Sequence, residues 1–189
     1  MTQIGRKKQS TADPGQYEDM VSQIAMLQEL DAATRGLVCQ ILLSSTKAYT
    51  LAKGEVLYEM GAEDENTGAI LVKGAMKVEA EKNESIRVRA PELLGEMQQL
   101  SESGQRTATV SATEESVVLE FAWHDFVYMI NGDPGLTEEQ QIAVRDMLMK
   151  VSGAREAELV ALRGEEPASP DEETLSEYTV GEDAPREPD

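Results

Sequence analysis

A single cysteine, Cys39, stands among 189 residues, so the chain cannot close a disulfide on itself. Its apolar neighbours Leu37, Val38, Ile41 and Leu42 suit a small hydrophobe in a core. The only histidine, His124, has no second histidine and no nearby cysteine with which to build a zinc site. No serine sits in a nucleophile elbow, and no other catalytic constellation is found, so the chain reads as a non-enzyme. No apolar run approaches the ~20 residues that span a bilayer. Arg6-Lys7-Lys8 is followed by no apolar segment and is not a secretory signal. A cytoplasmic protein without membrane insertion is expected. Cations are scarce too: 17 Lys and Arg face 36 Asp and Glu, a net charge of −19. Such a surface repels nucleic acid, whose binding requires neutralised phosphates.

Hydrophobic residues make up 40% of the chain, low enough to suggest that part of it does not fold into a core. Residues 1–15 are polar, with Gly5, Pro14 and Gly15, and read as a flexible arm. From Tyr17 the spacing of Met20, Ile24, Leu27 and Leu30 predicts a helix. Asp31 can cap a second helix through Leu37, Val38, Ile41 and Leu42. The two together suit a lid on whatever follows. Between Lys47 and Val78 the period changes. Tyr49, Leu51, Val56, Tyr58, Ile70, Val72, Met76 and Val78 lie in short alternating runs. Gly54, Gly61, Gly68 and Gly74 punctuate them, and a sandwich or barrel is expected. The acidic turn Glu63-Asp64-Glu65-Asn66 lacks the ligand alternation and closing Glu of an EF-hand loop, so no metal site is expected there.

Further strands are expected from Glu79 to Ala90 around a turn at Lys82-Asn83-Glu84, over Thr107–Thr113, and through Val117, Val118, Leu119 and Phe121. A helix opening at Trp123-His124-Asp125-Phe126 should stop at Asn131-Gly132. Thr137-Glu138-Glu139-Gln140 is a capping box that opens a long helix to about Arg163. Along it Val144, Leu148, Val151, Leu159 and Leu162 nearly form a seam, interrupted at Arg155. From Glu165 the tail holds four prolines, ten acidic residues and one Arg. It cannot bury enough surface to offset its ordering entropy and is expected to be disordered.

The stretch from Leu94 to Val110 carries the clearest chemistry. Gly95 lets the backbone come close to a ligand and adopt a positive φ. A short helical segment after it aims N–H groups at an anion. Arg106 offers a planar fork of donors that matches a phosphate. Glu96, ten positions earlier, would repel a phosphate but accepts hydrogen bonds from a sugar hydroxyl. Such a pair suits a ligand with a hydroxyl on one edge and a phosphate on the other.

Gly95, Glu96, Arg106, Thr107, Ala108, Thr109 and Val110 resemble the phosphate-binding cassette of cyclic nucleotide-binding domains. These occur in the catabolite activator protein, the protein kinase A regulatory subunit and cyclic nucleotide-gated channels. Leu94 replaces the family's Phe, and Gln98 stands where the family has Ala or Gly. Lys53-Gly54-Glu55-Val56-Leu57-Tyr58-Glu59-Met60-Gly61 resembles the family's Gly-Glu-hydrophobic segment. Ile70-Leu71-Val72-Lys73-Gly74-Ala75-Met76-Lys77-Val78 resembles its next strand, turn and return strand. The approach through Pro91-Glu92 looks shortened, with Glu92 bringing a further negative charge near.

The resemblance implies a mainly β fold: a cyclic nucleotide-binding β-roll, or jelly roll, with flanking N-terminal helices and a long C-terminal helix. The segments are then an arm over 1–15, N-terminal helices over 16–46, the β-roll over 47–122, C-terminal helices over 123–163 and an acidic tail over 164–189. It implies a regulatory sensor that binds cAMP or cGMP as ligand, needs no cofactor, and changes its interaction with a protein partner. Glu96 would take the ribose 2′-hydroxyl, Arg106 the cyclic phosphate, and Thr107 a further hydrogen bond. Gly95 and the backbone of Met97 and Gln98 would line the phosphate. Base selectivity would come from the last helix, with Gln140, Gln141, Arg145 and Ser152 as candidates. That helix closes over the base in the family and pairs as a homodimer, or else packs on its own domain. Related transcription factors place a helix-turn-helix after it. Neither the tail nor its charge suits one, so no DNA-binding domain is expected. Two alternatives stand beside the sensor. One is a nucleotide-free scaffold in which Glu96 and Arg106 form a structural bridge and proteins are the partners. The other is a cupin-type enzyme, which needs a histidine cluster that one histidine cannot supply.

Overall fold

The computed structural model describes residues 8–10, 12–63, 66–80, 85–100 and 104–163. The acidic tail, residues 1–7 of the arm, Asp64-Glu65 and the Lys82-Asn83-Glu84 turn lie outside the described residues. The strands are β1 (Lys8–Gln9), β2 (Lys47–Leu51), β3 (Val56–Tyr58), β4 (Thr67–Lys73), β5 (Ala75–Glu79), β6 (Ser85–Arg89), β7 (Glu92–Leu94), β8 (Thr109–Ala112) and β9 (Ser116–Ala122). They form two antiparallel sheets, one in the order β1-β2-β9-β4-β7 and one in the order β3-β8-β5-β6. The helices are α1 (Glu18–Ser22), α2 (Ala32–Ser45), α3 (Trp123–Gly132) and α4 (Glu138–Arg163).

The first sheet is covered on both faces, which explains why β4 is apolar almost throughout. Ile70 and Val72 of β4, with Val117, Leu119 and Phe121 of β9, face the helices. There they meet Val21, Ile24, Leu27, Val38, Leu42, Phe126 and Val144. Ala69 and Leu71 of β4 and Val118 of β9 face the other way. They pack on Leu57, Tyr58, Met76, Val88, Val110 and Ala112 of the second sheet, closing the roll. Phe121, Trp123 and Phe126 meet edge to face, with centroids 4.9 to 6.3 Å apart. The helices thus cover the outer face of the first sheet and leave the interior of the roll to the second.

Helix ends follow local chemistry. The Asp31 carboxylate accepts from the N–H groups of Ala33 and Thr34 and from the Thr34 hydroxyl, capping α2. These bonds, that from the Thr34 hydroxyl foremost, hold its pKa below the ordinary carboxylate value. At the start of α4, Thr137 N–H donates to Gln140 Oε1 (2.9 Å) and Gln140 N–H to Thr137 Oγ1 (3.3 Å), the reciprocal capping box. Gln140 Nε2 also donates to the buried hydroxyl of Thr34 at 2.8 Å, tying α4 to α2. Cys39 is buried in α2, and that burial pushes its thiol pKa up.

Two expectations are corrected. The single helix expected over Tyr17–Leu30 is interrupted: α1 ends at Ser22, Ile24 leaves the helical conformation (φ −56°, ψ 130°), and a 3-10 turn covers Ala25–Glu29. Val21, Ile24, Leu27 and Leu30 are all buried at a spacing of three. That spacing matches the three-residue turn of a 3-10 helix, and an unbroken α-helix would rotate it off one face. Lys8–Gln9, within the expected arm, pairs with Tyr49 and Thr50 of β2 and adds an edge strand to the first sheet. The approach to the cassette, read as short, is the three-residue strand β7, which pairs with Ala69, Ile70 and Leu71 of β4.

Candidate functional site

The Leu94–Val110 stretch turns sharply as it leaves the first sheet. Gly95, just after β7, has φ +87°. A Cβ added there would stand 2.8 Å from Arg106 Nη1, 3.0 Å from the Thr67 carbonyl oxygen and 3.0 Å from Tyr58 Cε2. A glycine is therefore required on two grounds, conformation and space. A 3-10 turn over Glu96–Leu100 follows. Gln98 Nε2 donates to the Gly104 carbonyl at 2.8 Å, fastening that turn to the returning chain.

Arg106 is 4% exposed, unusual for a charged side chain. Its backbone is locked to the β3–β4 connection. Gly61 N–H donates to the Arg106 carbonyl (2.8 Å), and Arg106 N–H donates to the Ala62 carbonyl (3.1 Å). Its guanidinium donates to the Thr67 carbonyl at 2.8 Å and to the Thr67 hydroxyl at 3.0 Å. Thr67 in turn donates to Glu120 of β9 at 3.3 Å. The guanidinium carbon lies 3.5 Å from the centroid of the Tyr58 ring, a cation–π stack. These bonds also explain why the expected strand over Thr107–Thr113 begins only at Thr109: the backbone of Arg106 is committed to the connection, outside the ladder.

These groups meet in one pocket. Gly95, Glu96, Met97, Gln98, Arg106 and Thr107 all line it, so the six residues expected to contact a ligand come to the same place. Val78, Ile86, Val88, Leu94, Ala108 and Val110 supply apolar walls, and Tyr58 adds its ring. About 590 Å³ lies between these walls, part of it open to solvent. Glu96 and Gln98 are each 6% exposed. The pocket thus offers a carboxylate, a guanidinium and backbone amides within a largely apolar surround, an arrangement that suits an anion with an apolar or aromatic portion. Among the described residues no group of three or more His, Cys, Asp and Glu could hold a metal ion.

Other sequence candidates lie elsewhere. Gln140, Gln141 and Arg145 do not line the pocket. Gln140 is engaged with Thr34 and Thr137, Gln141 donates to the Asn131 carbonyl at 3.3 Å, and Arg145 Nε to the Gln141 carbonyl at 3.3 Å. The side chain of Ser152 is outside the described residues. Glu92 does not line the pocket either; its carboxylate accepts from Leu93 N–H at 3.2 Å. Tyr58 and Thr67 were missed as site residues. In sequence each reads as an ordinary strand position, and only the pairing of β3 with β8 and the fold of β4 bring them to Arg106.

Comparison with known proteins follows the same lines. Residues 49–133 match the family model of the cyclic nucleotide-binding domain. A search of curated proteins finds no match to the chain. Among solved structures, a protein kinase A regulatory-subunit domain, bound to Sp-2Cl-cAMPS, is similar at 19% identity and TM-score 0.61, over 82% of this chain and 94% of that one. A cyclic nucleotide-binding domain from Methylobacillus flagellatus is similar at 16% identity and TM-score 0.61, over 87% of this chain and 88% of that one. The regulatory subunit of a cAMP-independent protein kinase A from Trypanosoma brucei is similar at 16% identity and TM-score 0.58, over 80% of this chain and 50% of that one. At such identities the structural likeness establishes the β-roll, and the family match covers both the cassette and the strands around it. Residues 49–133 therefore belong to the cyclic nucleotide-binding domain family.

Proposed function

We propose that this chain is a sensor that binds a cyclic mononucleotide, cAMP or cGMP, in the Tyr58–Arg106 pocket and thereby alters its contact with a protein partner. Arg106 pairs with the cyclic phosphate and Glu96 accepts from the ribose 2′-hydroxyl. The backbone of Gly95, Met97 and Gln98 lines the phosphate, and Thr107 adds a hydroxyl donor. The observation that carries this reading is the convergence of all six cassette residues on one pocket with apolar walls for a base. α4 runs beside the Glu96–Leu100 turn, which suits a helix that responds to ligand, by closing over the base or by pairing with a second copy.

The test is calorimetric titration of the protein with cAMP and cGMP, repeated on Arg106→Leu and Glu96→Gln. Removing one partner of a buried charge pair costs ~3–5 kcal/mol, so Arg106→Leu should weaken binding by roughly a hundred- to few-thousand-fold. Glu96→Gln keeps the shape and should lose affinity without loss of fold. Absence of binding by the unmodified protein, or full affinity in Arg106→Leu, would overturn the reading.

A second reading has its own support. The Arg106 guanidinium is held by Thr67 and stacked on Tyr58, and the Gln98 side chain braces the cassette turn, as structural residues would be. On that reading the domain is a nucleotide-free scaffold that acts through protein contacts. No change in melting temperature with either nucleotide would favour it.

A further inference from the structure

Four segments meet around the Arg106 guanidinium: β3 through Tyr58, the start of β4 through Thr67, the turn after β7 through Gly95, and Arg106's own approach to β8. Thr67 supplies hydrogen bonds in the guanidinium plane, from its carbonyl at 2.8 Å and its hydroxyl at 3.0 Å. Tyr58 supplies something different. Its ring lies over the guanidinium with 3.5 Å from carbon to centroid, it is 3% exposed, and it lines the same pocket. Gly95 closes the other approach, since a Cβ there would touch both Arg106 Nη1 and Tyr58 Cε2.

We propose that Tyr58 is a positioning residue of the anion site: its ring holds the Arg106 guanidinium in place and in plane before the ligand arrives. The proposal rests on the pocket being the nucleotide site. The physical case is as follows. A long arginine side chain loses much rotamer freedom when it binds an anion, and a guanidinium already fixed loses less. An anion pairs best with a guanidinium edge-on, through N–H groups lying in its plane. An aromatic ring attracts the cation through its face, and so orients the plane without taking up in-plane hydrogen bonds. It also carries no formal charge, so this contact does not compete with an incoming phosphate as a carboxylate would. In a protein of net charge −19 that distinction matters, because further negative charge near the site would repel the ligand.

The experiment compares Tyr58→Phe, which keeps the π-face, with Tyr58→Leu, which removes it, in calorimetric titrations with cAMP and cGMP. The Arg106 side-chain Nε–Hε resonance is followed by NMR in the absence of nucleotide. Tyr58→Met, apolar and of adequate volume, replaces the Leu variant should that one fail to fold. Phe should bind as the unmodified protein does, and Leu or Met about tenfold more weakly, the loss of a desolvated cation–π contact. The ring-current displacement of the Arg106 resonance should persist in Phe and vanish in Leu or Met. Equal affinity across the three proteins, or an Arg106 resonance indifferent to the ring, would overturn the proposal. Failure of the nucleotide reading is distinguishable: the unmodified protein would then bind neither nucleotide, and the resonance alone would decide whether Tyr58 holds Arg106.

Discussion

Gly95→Ala tests the geometry of the cassette most sharply, because Gly61→Ala provides an internal control. Gly95 has φ +87° and Gly61 φ +80°, so alanine meets a similar backbone cost at either position, about 1–2 kcal/mol. The surroundings differ. A Cβ at Gly61 meets nothing within 4 Å, whereas at Gly95 it stands 2.8 Å from Arg106 Nη1 and 3.0 Å from both the Thr67 carbonyl and Tyr58 Cε2. Relief at Gly95 requires Arg106 to move off Thr67 or Tyr58 to move off Arg106, and such overpacking adds about 1–3 kcal/mol. Gly61→Ala should therefore cost about 1–2 kcal/mol and Gly95→Ala about 2–5 kcal/mol. For a chain of this size each kcal/mol lowers the melting temperature by about 2–4 °C. Urea denaturation followed by circular dichroism measures both costs, and nucleotide titration then separates them functionally. Gly95→Ala should bind more weakly because its Arg106 is displaced, and Gly61→Ala should bind as before. Equal destabilisation by the two substitutions, with equal retention of binding, would refute the close approach of Gly95 to the guanidinium.

Phe126→Ala should destabilise by about 3–5 kcal/mol, as expected for a buried aromatic; Phe126 is 0% exposed and packs edge-on to Phe121 and Trp123. Chemical denaturation checks it, and a cost below about 1 kcal/mol would contradict the burial. Asp31→Ala should lower the melting temperature at pH 7 by removing the cap on α2. Because the folded-state pKa of Asp31 lies below its ordinary value of 3.8, the charged cap contributes fully above that value. The contribution is lost as pH falls through the lower folded value. The gap between the native chain and Asp31→Ala should therefore narrow below pH 3.8, and a gap that holds or widens on acidification would count against the cap.

Much of this domain is written in short-range chemistry. Capping by Asp31 and the Thr137–Gln140 box depend on atoms within three residues of one another, so the sequence alone locates those helix starts. The stop of α3 at Gly132 and the short apolar runs of β4 and β9 are legible for the same reason. The cassette was also legible. Gly95, Glu96 and Arg106 share one loop excursion, and closing the roll brings that excursion to one pocket. The break between α1 and the 3-10 turn was not legible, because Met20, Ile24, Leu27 and Leu30 satisfy a helical period that competes with the buried period of three. β1 was not legible because two polar residues become a strand only when β2 offers an edge. Tyr58 and Thr67 lie far from Arg106 along the chain, and no local pattern marks either as a partner of a guanidinium. Motif resemblance thus pointed to the fold family, and local chemistry to the helix caps and to residues that gather at the Arg106 pocket. What holds Arg106 was decided by tertiary structure alone, since a stack and a pair of hydrogen bonds between distant segments exist only once two sheets have closed into a roll.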